Sequence, residues 1–252
     1  FDAPIDRDTW KNLSQPIQRF ALLEFGAFSQ ESLALVNGDI FFRAPDGIRS
    51  LKYAQREFDG WGNTPSSDEV SWMVDFDDDR LLPHASAVNF GNRLLMTCRP
   101  QLSGRGIWHD GILSLDFKPI SKMTKKALPA WDGVWTGLRT LQLVTARVGG
   151  VVRCFAYALD ADLRVCLFEV TRQDAFDNGV TPIEWTIETR AFVFGSDGMS
   201  LFSLDGGDLW FAGVTGTLAV TAEYRTDEVP TWQPWHSWSE CVTTGVPSAG
   251  LL

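Results

Sequence analysis

Apolar and polar positions along the chain alternate in short runs, and the same order of runs is written three times. The first copy runs from Ala34-Leu35-Val36 through Asn37-Gly38 to Asp39-Ile40-Phe41-Phe42, then Pro45-Asp46-Gly47 and Ile48-Arg49-Ser50-Leu51. The second runs from Ala87-Val88-Asn89-Phe90 through Gly91-Asn92 to Arg93-Leu94-Leu95-Met96, then Asp110-Gly111 and Ile112-Leu113-Ser114-Leu115. The third runs from Val144 to Phe155 across Gly149-Gly150, then Leu159 to Leu167 across Asp160-Ala161-Asp162. Each copy predicts a strand, a tight turn, a second strand, an acidic or glycine turn and a short apolar strand. The turn glycines Gly38, Gly91 and Gly149 recur about 55 residues apart, a spacing that fits the four-stranded blades of a propeller. A single unit of this kind cannot bury both its faces, so blades stacked about an axis are expected, and a scaffold or binding surface before an enzyme.

Between the copies the signals are weaker. Residues 1–30 read as the tail of a preceding unit. The run Asp59 to Ser67 is loop by its turn residues, and Ser67-Asp68-Glu69-Val70 predicts a short helix with a serine cap. Beyond a polar break from Gln173 to Pro182 the texture changes. A long strand is expected over Ile183–Phe194, and further strands over 201–203, 208–212 and 216–225. The expected organisation is therefore all-β, with β-propeller-like blades, an incomplete set within this chain, over residues 1–172. A small β-sandwich-like domain follows over 173–252. Helical periodicity is nearly absent.

Composition narrows the function classes. The chain has 252 residues, is 44% hydrophobic and carries 11 Trp and 17 Phe against three Tyr, a load that suits sheets and interfaces. Its net charge of −10 argues against direct nucleic-acid binding, which needs clustered Lys and Arg. The basic cluster Lys122, Lys125 and Lys126 reads as a solvated loop. No run of 18 apolar residues occurs, so no membrane span is expected. Because the sequence opens at Phe1 without Met or a signal-like apolar region, processing, or an ordered part of something longer, is expected. Cys98, Cys154, Cys166 and Cys241 show no metal-ligand spacing and are expected to be reduced thiols, with Cys154 and Cys166 in apolar strand patterns.

Candidate chemistry is sparse. Asp75, Asp77 and Asp79 copy the opening of an EF-hand loop, yet Arg80 and Ser86 stand where that loop needs Gly and Glu; a solvated acidic turn is favoured, with weak cation binding the alternative. Ser203 to Trp210 matches an Asp-box turn except that Leu209 replaces Thr. The three histidines, His84, His109 and His236, do not stand at zinc spacing, and no nucleophile elbow is present. Arg105, His109 and Asp110 would sit at a propeller mouth or simply hold a loop. Trp232, Trp235 and Trp238, three residues apart with Pro230 and Pro234 interspersed, offer an interface ridge, a carbohydrate platform or the cap of a sheet core. No cofactor is expected.

Several of these phrases resemble a known group. Val36 to Phe42 with Asp46-Gly47-Ile48-Arg49-Ser50-Leu51 looks like a blade of propeller-type structural proteins in tailed bacteriophages. Asn92 to Thr97, Trp131 to Gly137, Glu188-Thr189-Arg190, Tyr224 to Asp227 and Pro230 to Trp238 resemble the same group, in which a propeller precedes a β-sandwich. The resemblance implies a virion component, of the tail or head–tail connection, assembling with other virion proteins and with copies of itself. It implies no reaction. A receptor-binding tail module recognising a host glycan through the same tryptophans is the alternative, and a propeller glycosidase a more distant one, because no pair of carboxylates is singled out.

Overall fold

The computed structural model describes residues 26–51, 65–104, 106–118, 129–170, 183–189 and 217–242, with Asp8, Lys11, Phe192, 210–211 and 250–251. The chain is all-β: among the described residues its sheets are antiparallel and none closes into a barrel. It divides into two compact units, 1–183 and 184–252. The expected boundary at 172/173 falls outside the described residues.

The first unit begins with three short strands, β1 (Ala34–Val36), β2 (Asp39–Ala44) and β3 (Gly47–Ser50), in that order. A second meander follows as β4 (Ala87–Phe90), β5 (Arg93–Ser103), β6 (Gly106–Asp116) and β7 (Ala130–Trp135). A third is formed by β8 (Arg139–Val148), β9 (Val151–Leu159) and β10 (Val165–Val170). The opening hairpins of all three turn on two residues: Val36 faces Asp39, Phe90 faces Arg93 and Val148 faces Val151. At each turn both central residues have positive φ: 50° and 72° at Asn37-Gly38, 61° and 60° at Gly91-Asn92, 60° and 82° at Gly149-Gly150. This is the mirror-image turn that matches strand twist and favours Asn and Gly, so the repeat seen in the sequence is one hairpin built three times.

The meanders lie in layers. In β5, Leu94, Met96 and Cys98 point one way and join Leu113 and Leu115 of β6 in a core with Ala34, Val36, Phe41 and Ile48 of the first meander. Leu95 points the other way and, with Ile112, packs against Leu143, Cys154 and Ala156 of the third. The middle sheet is thus apolar on both faces, which is why its strands read as continuous runs rather than as alternation. Ser86 fixes the third layer to the second. It trades backbone and hydroxyl bonds with Thr97 at 2.9 Å, and its Oγ accepts the Leu143 N–H at 3.0 Å. A single residue pair, His109 with Thr140, joins β6 to β8 and makes one seven-stranded sheet of the second and third meanders.

The phrase Asp46 to Ser50 is structural throughout. Ile48 is in the core, Arg49 pairs with Asp46, and the Ser50 hydroxyl donates to Asp39. Gly47 is required by close approach: a Cβ there would lie 2.5 Å from Ser67 Oγ, with its φ at +139°.

Three local expectations change. The predicted helix after Ser67 is a 3-10 segment, Asp68–Met73, without a side-chain cap; the Ser67 hydroxyl instead accepts the Ile48 N–H at 2.9 Å. β5 and β6 run 11 residues each, past Pro100, well beyond the short strands expected. β5 continues through Pro100, which stands opposite His109 of β6. The strand expected over 183–194 is absent from its described part: residues 183–189 are exposed and adopt no strand structure. Alternating Ile183, Trp185 and Ile187 mark a one-sided strand, but a strand exists only against another.

In the second unit, β12 (Thr217–Tyr224) pairs with β13 (Gln233–Val242), and β11 (Trp210–Phe211) with β14 (Gly250–Leu251).

Candidate functional site

The acidic turn is the first place the sequence points to. Asp75 and Asp79 are exposed, and Asp78 pairs with Arg80 in solvent. Asp77 turns inward. Its Oδ2 accepts from Arg43 Nη2 at 3.1 Å and its Oδ1 accepts the Arg99 N–H at 2.9 Å, with the Asp77 and Arg43 side chains only 2% and 1% exposed. Arg43 also donates to the Ala44 carbonyl at 2.8 Å and the Val74 carbonyl at 3.1 Å. Burial raises the Asp77 pKa, and the Arg43 guanidinium opposes that rise. Asp77 therefore clamps the first meander to the second and holds Arg99 at a φ of +57°. The three carboxylates do not converge, and among the described residues no three His, Cys, Asp or Glu side chains gather for a metal.

His109 is buried, not at a mouth. Its Nδ1–H donates to the Thr140 carbonyl at 3.3 Å, and among the described residues neither its Nε2 nor the Thr140 Oγ1 has a protein partner. Burial, with a smaller contribution from nearby His84, lowers its pKa to about 4, so the ring is neutral. Next to it, Arg139 stacks over the Trp108 ring at 5.7 Å. Arg105 lies outside the described residues, as do the Lys122 to Lys126 cluster and the Asp-box run up to Leu209. Cys98 and Cys154 are buried free thiols, pushed by desolvation up to about 12 and about 11, and so are unreactive. Cys166 is half-buried.

The three tryptophans separate into different settings. Trp238 is half-buried, opposite Val220, and meets His236 edge-on at 4.6 Å between ring centres. Trp235 is the extra residue of a bulge, because Ala222 faces His236 while Glu223 faces Pro234. A bulge re-aims its side chain, and this one leaves Trp235 44% exposed. Trp232 precedes the strand, exposed, with the Arg225 guanidinium 4.6 Å above its ring; Arg225 also pairs with Glu188.

The larger surface is one the sequence reading passed over. On the face of β8–β9–β10 turned away from the middle sheet, cross-strand rows place Arg139, Leu159 and Val165 together, then Gln142, Tyr157 and Leu167, then Val144, Phe155 and Glu169. Val165 is 62% exposed, Leu167 55% and Tyr157 41%. Arg153 and Glu169 form an ion pair at 3.2 Å on the same face. In the first meander Leu35 and Ile40 are cross-strand partners facing away from the second meander, 64% and 39% exposed, while Phe42 and Arg49, the next row on that face, are buried. The signal for both was present in the alternation itself, since Leu35, Ile40, Tyr157 and Leu167 occupy positions where a solvent-facing strand carries polar residues.

Comparison with protein-family models, with curated proteins and with solved structures finds no match.

Proposed function

We propose that this chain is a structural component of a tailed-phage virion, in the tail or the head–tail connection, working through protein–protein contacts. The observation that carries the reading is the apolar outer face of β8–β10, where Tyr157, Val165 and Leu167 present contiguous apolar surface to solvent. Such faces mark association sites. Supporting it, consecutive meanders stack face to face as propeller blades do, the second unit's paired strands suit a small β-sandwich, and both parts agree with the resemblance of the Asp46 to Ser50 phrase and its companions. The net charge of −10 favours a wall past which DNA slides over one that grips it. The partners are other virion proteins and copies of the chain itself.

The test is mass spectrometry and antibody-gold labelling of particles purified from the phage that encodes the chain. Multiple copies per particle at a fixed position are expected. Recovery of the chain only in the soluble fraction of infected cells overturns the reading.

Trp235 favours a second reading, glycan recognition in a receptor-binding tail module. An exposed indole on a bulge, beside the Arg225-stacked Trp232, is the kind of surface on which a sugar ring stacks. Retention on a glycan array that Trp235→Ala abolishes supports it; no retention on any host-type glycan removes it.

A further inference from the structure

The segment between the first and second meanders is anchored from within and carries aromatic rings outside. Met73 packs against the core, Val74 and Leu82 are buried, and Asp77 is clamped by Arg43. Backbone bonds close the segment into successive turns. The Val74 and Asp75 N–H groups both donate to the Ser71 carbonyl at 2.8 Å, the Asp77 N–H donates to Val74 at 3.2 Å, and the Leu81 N–H donates to Asp78 at 2.8 Å. Other residues thus supply the inward anchors, yet Trp72 is 59% exposed and Phe76 93%. Phe76 adds nothing to the core and Trp72 little. Along the same stretch the exposed charge is of one sign. Of the six carboxylates from Asp68 to Asp79, Asp77 pairs with Arg43 and Asp78 with Arg80, while Asp68, Glu69, Asp75 and Asp79 remain exposed.

We propose that residues 68–80 dock a basic segment of another protein, one in which Lys or Arg side chains flank apolar ones. The apolar groups cover Trp72 and Phe76, and the cations meet Asp68, Glu69, Asp75 and Asp79. Aromatic anchors with a charged rim are the usual make-up of a protein–protein contact. The turns hold the segment in shape before a partner arrives, which lowers the ordering cost of binding. Charge complementarity selects the occupant. A second copy of this chain carries the same net charge of −10, and like charges brought together at a contact repel. Nucleic acid and anionic lipid are turned away by the same carboxylates. The proposal goes beyond the virion reading and does not depend on it, because it uses neither the outer face of β8–β10 nor the repeat.

Panning a random peptide display library against the full chain, with Phe76→Ala as the counter-target, is the test. Peptides that combine Lys or Arg with apolar residues are expected to be enriched on the unaltered chain and not on the variant. An enriched peptide, synthesised and titrated by fluorescence anisotropy, should bind Phe76→Ala and Trp72→Ala about tenfold more weakly, the loss that truncating an aromatic anchor brings. Raising salt from about 50 mM to about 300 mM should weaken binding several-fold, because exposed charge pairs are screened. That salt effect should shrink when Asp75→Asn and Asp79→Asn are combined. A far-UV circular dichroism melt checks that each variant folds; if Trp72→Ala does not, Phe76→Ala, at an almost wholly exposed site, decides alone. No enrichment, enrichment of acidic or uncharged sequences, or equal binding by Phe76→Ala overturns the proposal. Flotation with phosphatidylcholine vesicles that Phe76→Ala abolishes, in place of peptide binding, overturns it in favour of a membrane surface. The virion reading is decided separately, by the content of purified particles.

Discussion

At the scale of single residues, two buried polar groups govern how this fold responds to change. Asp77 and Arg43 are both withdrawn from water and pair with each other, so removing one strands a buried charge. Asp77→Ala is expected to lower stability by about 3–5 kcal/mol in urea unfolding, whereas Asp75→Ala and Asp79→Ala stay within about 0.5 kcal/mol. Equal effects at the three positions would contradict the buried pair. His109 sets a pH dependence. Its pKa of about 4 in the fold lies below the ordinary 6.5, so as pH falls the unfolded chain takes up the proton first. The stability it secures is complete above pH 6.5 and is lost as pH falls towards 4, by about 3 kcal/mol in total. Asp77, raised by burial, acts in the opposite sense above its ordinary value of 3.8. Comparing the pH profiles of the unaltered chain and His109→Gln isolates the histidine; parallel profiles between pH 4 and 6.5 would remove it from the account. Neither role was legible in the sequence. Asp77 sits among four other aspartates between 75 and 110 with nothing local to single it out, and Arg43, following Phe41 and Phe42, reads as a solvent-facing end of a strand. What distinguishes them is a partner 34 residues away.

At the scale of elements, the sequence was most legible where chain chemistry alone decides the backbone. Asn37-Gly38, Gly91-Asn92 and Gly149-Gly150 each adopt the turn their composition demands, and the alternation on either side then sets the register. It was least legible where pairing is long-range. The lengths of β5 and β6, and the missing strand at 183–189, depend on which neighbour is present, and no local pattern records that. Gly111 shows a constraint of the same kind. It lies within β6 opposite Cys98, and a Cβ there would come 2.6 Å from Val134 Cγ1 and 2.8 Å from the Cys98 sulfur. Glycine at that point lets β7 close over the core. Gly111→Ala is expected to cost about 1–3 kcal/mol by overpacking. Pairing it with Cys98→Ala, which removes one of the two clashing atoms, should recover part of that loss in a double-mutant comparison. Additive losses would mean that the sulfur does not set the limit.

At the scale of the molecule, the first unit owes its cohesion to a middle sheet buried from both sides. Leu94, Met96 and Leu113 face the first meander while Leu95 and Ile112 face the third, so opening either interface exposes part of the same two strands. The third meander differs from it in showing Tyr157, Val165 and Leu167 to solvent, and β10 pairs with β9 alone among the described strands. Local opening is cheapest where a strand has fewest buried contacts and an unpaired edge. Native-state hydrogen exchange should therefore order the layers. Amides of Leu94–Cys98 and Ile112–Leu115 are expected to exchange only by global unfolding, and those of Val165–Val170 by smaller openings at a faster rate. Leu167→Asp, on the solvent face of β10, should leave the protection of β5 and β6 unchanged. If β10 proved as protected as β5, the third meander would be held by contacts beyond the Leu143, Cys154 and Ala156 core. If instead β10 gains protection only when the unaltered chain associates, the same measurement maps the surface through which the molecule assembles.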